Sequence, residues 1–268
     1  MNIEEIGNIK LPEDYKLMLK QFEDKFGNDG FSKFAYYIGF DWVANKDEVR
    51  DYELVPFEAE LPFPTGSNGE HMGWLNLCPS QIEVKKPFVC WVPLGGHIFY
   101  HGTEIIEVLE NSIEHLHSPN YEDVDLEFLN KLGVTPQNAT SVMMINYDDE
   151  PLNKIKLKLP EGYQYEITID GVGVIAKSES FSTEVKYEQA KLSINQHIEI
   201  AKESFKNSYY GTTMFYLKEG YFRNFFERDK QDQILEILKL KEETYFKLEM
   251  EEASIQVNKE IEKRKPSR

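Results

Sequence analysis

Cysteine is scarce: Cys78 and Cys90 are the two in 268 residues. That excludes a disulfide-built scaffold and any C-x-x-C metal or redox motif, and two reduced, partly buried thiols in a cytoplasmic protein are expected. No apolar run approaches 18 residues, so no membrane span is expected. The segment MNIEEIGNIK has no basic start followed by an apolar block, which predicts no secretory leader. H-E-x-x-H and G-x-S-x-G are missing, and DGVGV lacks the third glycine and following helix of a dinucleotide fingerprint. Positive charge is in short supply. Lys and Arg number 30 against 47 Asp and Glu, a net charge of −17. Up to residue 120 the count is 20 acids to 9 bases, and beyond it 27 to 21, so the excess acid lies in the first half. Such a surface repels phosphate backbones, which argues against nucleic acid as a partner. It favours basic proteins and speeds their encounter, though acidic surfaces also serve solubility alone.

Hydrophobic residues make up 41% and aromatics 13%, a composition that buries a core. Residues 11–26, LPEDYKLMLKQFEDKF, read as a helix. Pro12 suits its first position, Glu13 and Asp14 its positive end, and Gly27 its stop. Tyr15, Met18, Leu19, Phe22 and Phe26 form one stripe. Residues 31–43 are aromatic and dense, either a strand pair or a buried helix. Residues 52–58, YELVPFE, read as a strand with Pro56 marking an edge. Thr103–His117 carries the helical stripe Ile105, Ile106, Leu109, Ile113 and Leu116. A short helix is expected from Asp123 to Leu132, stopped by Gly133, and a strand at SVMMINY.

The stretch from Leu61 to His101 holds two of the three Trp, both Cys and three of the six His. Phe88–Trp91 and His97–His101 flank PLGG and read as a hairpin. Pro62–Gly73 reads as a loop that interrupts regular structure. His97 and His101 are four apart, about 13 Å on a strand, too far to share a zinc ion whose ligands each lie about 2 Å away. His115 and His117 suit the negative end of their helix. No metal and no cofactor are expected. Glu58 and Glu60 share a face if that segment is extended, about 7 Å apart. With Glu70, and with Trp74 and Tyr100 as aromatic anchors, they make the expected partner-binding set.

Residues 140–188 read as a small β-meander, either extending the first sheet or forming its own layer: the SVMMINY strand, an alternating strand at 154–159, YEITI, the DGVG turn, VIA and STEVKYE. From Ile194 it turns helical. Ile194, Ile198, Ala201 and Phe205 share a stripe. The next helix, residues 211–228, aligns Met214, Leu217, Tyr221 and Phe225 beside Phe215, Phe222 and Phe226. A face this wide must be buried, within the chain or by self-association through 194–263. The last helix is expected as one piece from Lys230 to Lys263, about 50 Å long, its end projecting.

The segment LPEDYKLMLKQFEDKFGNDGF resembles the opening of the SUKH superfamily, in which Leu-Pro and an acidic, Tyr-containing helix lead into a Gly-rich turn. The order that follows is similar: strands, a Gly-rich loop near Trp74, a hairpin and a closing amphipathic helix. The resemblance covers roughly residues 5–118, and departs from the family at 62–73, where a Gly-Asp turn is usual. It implies an α+β fold, a single curved, mostly antiparallel sheet with helices on one side, here followed by the meander and a C-terminal helical layer. The expected divisions are 1–120, 121–190 and 191–268. Many SUKH members are immunity proteins that neutralise bacterial toxins, often nucleases; others are regulators or adaptors. The resemblance thus implies a non-enzymatic protein that covers a basic, nuclease-type toxin. The alternatives are an intracellular scaffold acting through residues 194–263, or an enzyme with a cleft near Gly66–Trp74.

Overall fold

The computed structural model describes residues 11–41, 43–44, 54–65, 69–79, 82, 85–93, 97–117, 120–136, 139, 143–145, 159–183 and 192–265. The chain forms two compact units, each assembled from separate stretches. The first takes Met1–Val55, Ala59–Leu75 and Lys85–Ile145; the second takes Pro56–Glu58, Asn76–Val84 and Asn146–Arg268. Their bounds differ from the expected 1–120, 121–190 and 191–268: residues 121–145 go with the first unit, and Pro56–Glu58 and Asn76–Val84 with the second.

In the first unit, α1 (Glu13–Phe26) turns Tyr15, Met18, Leu19 and Phe22 inward, as its stripe predicts. A short turn at Gly27–Asp29 leads to α2 (Gly30–Ile38), so the dense segment after Gly30 is a buried helix. Five strands follow: β1 (Ala59–Thr65), β2 (Glu70–Leu75), β3 (Phe88–Val92), β4 (His97–Gly102) and β5 (Met143–Ile145). They pair antiparallel in sequence order, and Val92 opposite His97 closes the expected β3–β4 hairpin. Helix α3 (Ile105–His117) comes between β4 and β5, as does α4 (Leu126–Lys131), whose first turn is capped by the Asp125 carboxylate accepting from the Phe128 amide at 2.9 Å.

Two expectations fail here for physical reasons. Residues 54–58 are not a strand: Leu54 sits at φ 59, which extended backbone forbids, and Phe57 and Glu58 form a turn. The expected loop at 62–73 is largely a β1–β2 hairpin. Pro62 and Pro64 cannot donate to a ladder, and β1 accommodates them by lying at the sheet edge with its register slipping between Glu60 and Phe63. Their carbonyls accept from the amides of Ala44 (2.8 Å) and Asp41 (3.0 Å), which covers the edge. Gly73 is required on β2, since a Cβ there would lie 2.0 Å from the Glu60 carbonyl oxygen.

The core joins Tyr15, Phe22, Phe34 and Tyr37 from the first two helices to Phe63, Met72, Trp74, Phe88 and Cys90 from the sheet. Phe22 meets Phe34, Tyr37 and Phe128 edge-on, with centroids 5.1–5.4 Å apart. Leu61, Leu75, Val89, Trp91 and Ile98 lie outside that cluster, yet none is more than 1% exposed. Strands buried through both sets read as continuous apolar runs, which is why FVCWV shows no alternation.

In the second unit, β6 (Tyr163–Glu166) and β7 (Val174–Lys177) form the hairpin that DGVG announces. The strands expected at 154–158 and 184–188 lie outside the described residues. Helix α5 (Ile194–Lys206) begins with a capping box between Ser193 and Gln196 and packs on α6 (Tyr210–Asn224). These are the two helices expected after Ile194, and α6 is buried on almost every side from Gly211 to Tyr221.

The single long final helix is not observed. It is broken into α7 (Gln231–Lys247) and α8 (Glu251–Arg264), which pack on each other. The pair is antiparallel: Arg264 reaches back to Gln231, and the Ser254 hydroxyl donates to the Glu242 carbonyl. No Gly or Pro marks the break. Glu249 makes it at φ 60 between Leu248 and Met250, both buried. The two forms give opposite predictions for Glu249→Gly. At a left-handed position glycine relieves strain and stabilises by ~0.5–1 kcal/mol, whereas inside one continuous helix it costs about as much. Thermal unfolding decides, and a lowered midpoint contradicts the break. No described helix is long and apolar enough to cross a membrane.

Candidate functional site

Of the five expected partner-binding residues, Glu58, Trp74 and Tyr100 are buried, and Glu60 and Glu70 are half-buried. Trp74 is 2% exposed, packed edge-on against Tyr15, Phe63 and Phe88 at 5.1–5.4 Å. Tyr100 is buried too, and burial together with the Glu107 carboxylate raises its phenol well above the usual range. Neither is available as a surface anchor. Glu60 and Glu70 are half-buried on β1 and β2, Glu60 opposite Trp74 in the register and Glu70 accepting from the Thr65 hydroxyl. Glu58 is buried and belongs to the second unit, so the Glu58–Glu60 pair expected on one strand face does not exist. Residues 66–68 of the expected cleft lie outside the described residues, and the rest of it, from Glu70 to Trp74, is strand.

Neither His101 nor either thiol is poised for chemistry near neutral pH. His101 is buried on β4 with Nδ1 2.9 Å from the Ser112 hydroxyl, while its carbonyl accepts from Asn111 at 2.7 Å. Burial, helped by His115, depresses its imidazole to about 3, so the ring is neutral. Burial pushes the Cys78 thiol up to about 11, and burial with the Glu70 charge pushes Cys90 to about 12; neither is a nucleophile near neutral pH. Among the described residues no three His, Cys, Asp or Glu side chains gather to hold a metal ion.

Exposed acid concentrates elsewhere on the first unit. Lys25 near the end of α1 pairs with Asp125 at 3.3 Å, tying α1 to the segment that enters α4. The Asp125 amide donates to the Tyr37 hydroxyl on α2, and the Tyr121 amide to the His117 carbonyl at the end of α3. Around these ties lie Glu23, Asp24, Asp29, Glu122 and Asp123. All five are exposed, and none pairs with a described cation. On the same joined elements Tyr36 is 41% and Leu116 48% exposed, and the Tyr36 ring lies 4.6 Å from His117. Exposed carboxylates together with an exposed aromatic and an aliphatic side chain are the residue types a basic protein surface can use.

No protein-family model matches this chain, and no curated protein matches it. The SUKH likeness accordingly rests on the residues quoted above.

The second unit holds a buried ionic cluster that pattern reading missed. Lys218 on α6 is 1% exposed. Its Nζ donates to Glu58 Oε1 at 2.6 Å and to the Gly173 carbonyl at 2.9 Å, and lies 3.2 Å from Asp170 Oδ2. The Tyr245 hydroxyl donates to the same Glu58 oxygen at 2.6 Å. Burial alone would raise the Glu58 carboxyl; the Lys218 and Lys241 charges and the two hydrogen bonds outweigh it and hold it below the ordinary range. Burial likewise disfavours the Lys218 ammonium, but Asp170 and Glu58 win and raise it. Asp170 is set by the turn before β7, where it accepts from the Thr168 hydroxyl and the Val172 amide. Gly173, at φ 75, closes that turn against the Tyr165 ring, leaving no room for a Cβ. Next along α6, Glu219 accepts from the Ile169 amide and from Arg223, yet burial still raises its carboxyl. The available signal was the pair Lys218-Glu219 within MFYLKEGYF, charges on a helix too apolar to leave any side in water.

Proposed function

We propose that this chain is a non-enzymatic protein-binding protein whose first unit offers an acidic face to a basic partner, an immunity-type role against a nuclease-type toxin being the form the SUKH likeness suggests. The observation that supports the reading is that Glu23, Asp24, Asp29, Glu122 and Asp123 all stand exposed and without a described cation, on segments that the Lys25–Asp125 pair and the Asp125–Tyr37 hydrogen bond tie together. Across the described residues of this unit, 16 carboxylates face 7 lysines, and none of the 16 is buried. The working residues thus move from the β1–β2 hairpin to the helix ends, and the mechanism is steric cover plus charge complementarity.

The test is a capture experiment on lysate of the source cell, with the wild-type chain and a variant carrying Glu23→Gln, Asp24→Asn, Asp29→Asn, Glu122→Gln and Asp123→Asn. The expected result is a basic protein retained at low salt by the wild type and at least tenfold less by the variant. Equal retention by both defeats the assignment of this face. A second reading, self-association, is favoured by Phe226, Phe246 and Ile255, which are 51–66% exposed on the second unit. Sedimentation of Phe226→Ser and Phe246→Ser variants reads it directly.

A further inference from the structure

The two buried lysines of the second unit are held in opposite ways. Lys218 has two carboxylates and a carbonyl around its Nζ. Lys241, on α7, is 3% exposed, and the carboxylates that act on it do so through their charge and not through a hydrogen bond. Its Nζ instead faces the rings of Phe57 at 4.8 Å, Tyr221 at 5.0 Å and Tyr245 at 5.9 Å. The charged groups that act on it are Glu58 from the turn before β1, Asp170 from the turn before β7, and Lys218 from α6. Lys218 already claims one Glu58 oxygen together with Tyr245, and the other, Oε2, is buried with no hydrogen-bond partner.

We propose that Lys241 is a proton switch: it releases its proton while the second unit stays folded, and Lys218 beside it does not. An ammonium ringed by aromatic faces gains some attraction from them, but that does not replace the hydrogen bonds it had in water. The neutral amine loses little in the same place. Burial lowers Lys241 to about 8, with Glu58 opposing the shift and Lys218 adding to it. Near neutral pH the cluster holds two ammonium groups and two carboxylates; above the transition it holds one against two. Phe57 and Glu58 register the change, since the Phe57 ring lies 4.8 Å from Lys241 Nζ and Glu58 is the carboxylate whose charge acts on it most strongly. The device therefore acts on the Pro56–Glu58 segment, the short piece of chain that the second unit takes from between two stretches of the first.

The sign of the linked stability is fixed. The folded value lies below the ordinary lysine value of about 10.4, so the folded state binds fewer protons between the two. Stability of the second unit rises with pH across that window, and a variant without the amine does not show the rise.

Titration of the full chain with labelled lysine side chains, followed by NMR, is the test. One lysine resonance is expected to move with a midpoint near 8, well below that of Lys218, and that resonance is expected to vanish in Lys241→Met. If Lys241→Met does not fold, Lys241→Gln supplies the same assignment. The proposal is overturned if the resonance missing from the variant titrates with the other lysines, or shifts only where circular dichroism reports unfolding.

Discussion

Lys218→Met is expected to destabilise the second unit by about 3–5 kcal/mol, the cost of removing one partner from a buried ion pair. The methionine fills much the same volume, so little of the loss is packing. What remains is Glu58 with the Tyr245 hydrogen bond and only the unbonded Lys241 charge, and Asp170 without its paired ammonium. Guanidinium unfolding at pH 7, compared with wild type, measures it. The companion variant separates charge from shape: combining Lys218→Met with Glu58→Gln and Asp170→Asn removes the stranded charges, and a good part of the loss is expected to return. An isolated effect under 1 kcal/mol would mean that the cluster does not hold this unit together. The pH dependence follows from the same group. The Glu58 carboxyl is depressed relative to the unfolded chain, so its contribution is complete above the ordinary glutamate value of about 4.3 and is lost as pH falls through the lower folded value.

Trp74→Ala is the second large effect, and it separates the two readings of this residue. As a core residue between Tyr15, Phe63 and Phe88 it is expected to cost about 3–5 kcal/mol of stability in the first unit. As a surface anchor it would cost almost nothing in stability and much in binding. Urea unfolding gives the answer without any partner in hand. Below the unfolding transition the variant is expected to retain its partner, since the acidic face lies on other elements. A stable Trp74→Ala protein that has lost binding would restore the hairpin as the interface.

What was legible in the sequence was local. The stripe of α1 with its acids and Gly27, the PLGG hairpin, the Gly133 end of α4 and the DGVG turn each declare themselves within a few residues. What was not legible depends on distant neighbours. The segment Leu248–Met250 carries no breaker, and the turn there exists because α8 buries Ala253, Val257 and Ile261 by folding back. Pro62 and Pro64 signal a loop until residues 41–44 supply donors to their carbonyls. Trp74 and Tyr100 resemble exposed anchors only because burial through both sets of strand residues erases the alternation that would have placed them inside. Lys218 and Glu58 are 160 positions apart, a pairing that no local pattern encodes. The acidic patch was half visible: its charge was read correctly for the first half of the chain, but its location depends on the Lys25–Asp125 tie.

The central claim is that charge on the first unit brings a basic protein to this face, and the association rate as a function of salt tests it most directly. With the captured partner purified, stopped-flow mixing is run across roughly 20 to 300 mM salt, a range in which the screening length shortens severalfold. The account predicts a rate constant that falls by about tenfold or more over that range, and a slower, flatter profile for the five-residue neutral variant. A rate that is indifferent to salt, and unchanged by neutralising Glu23, Asp24, Asp29, Glu122 and Asp123, would contradict it.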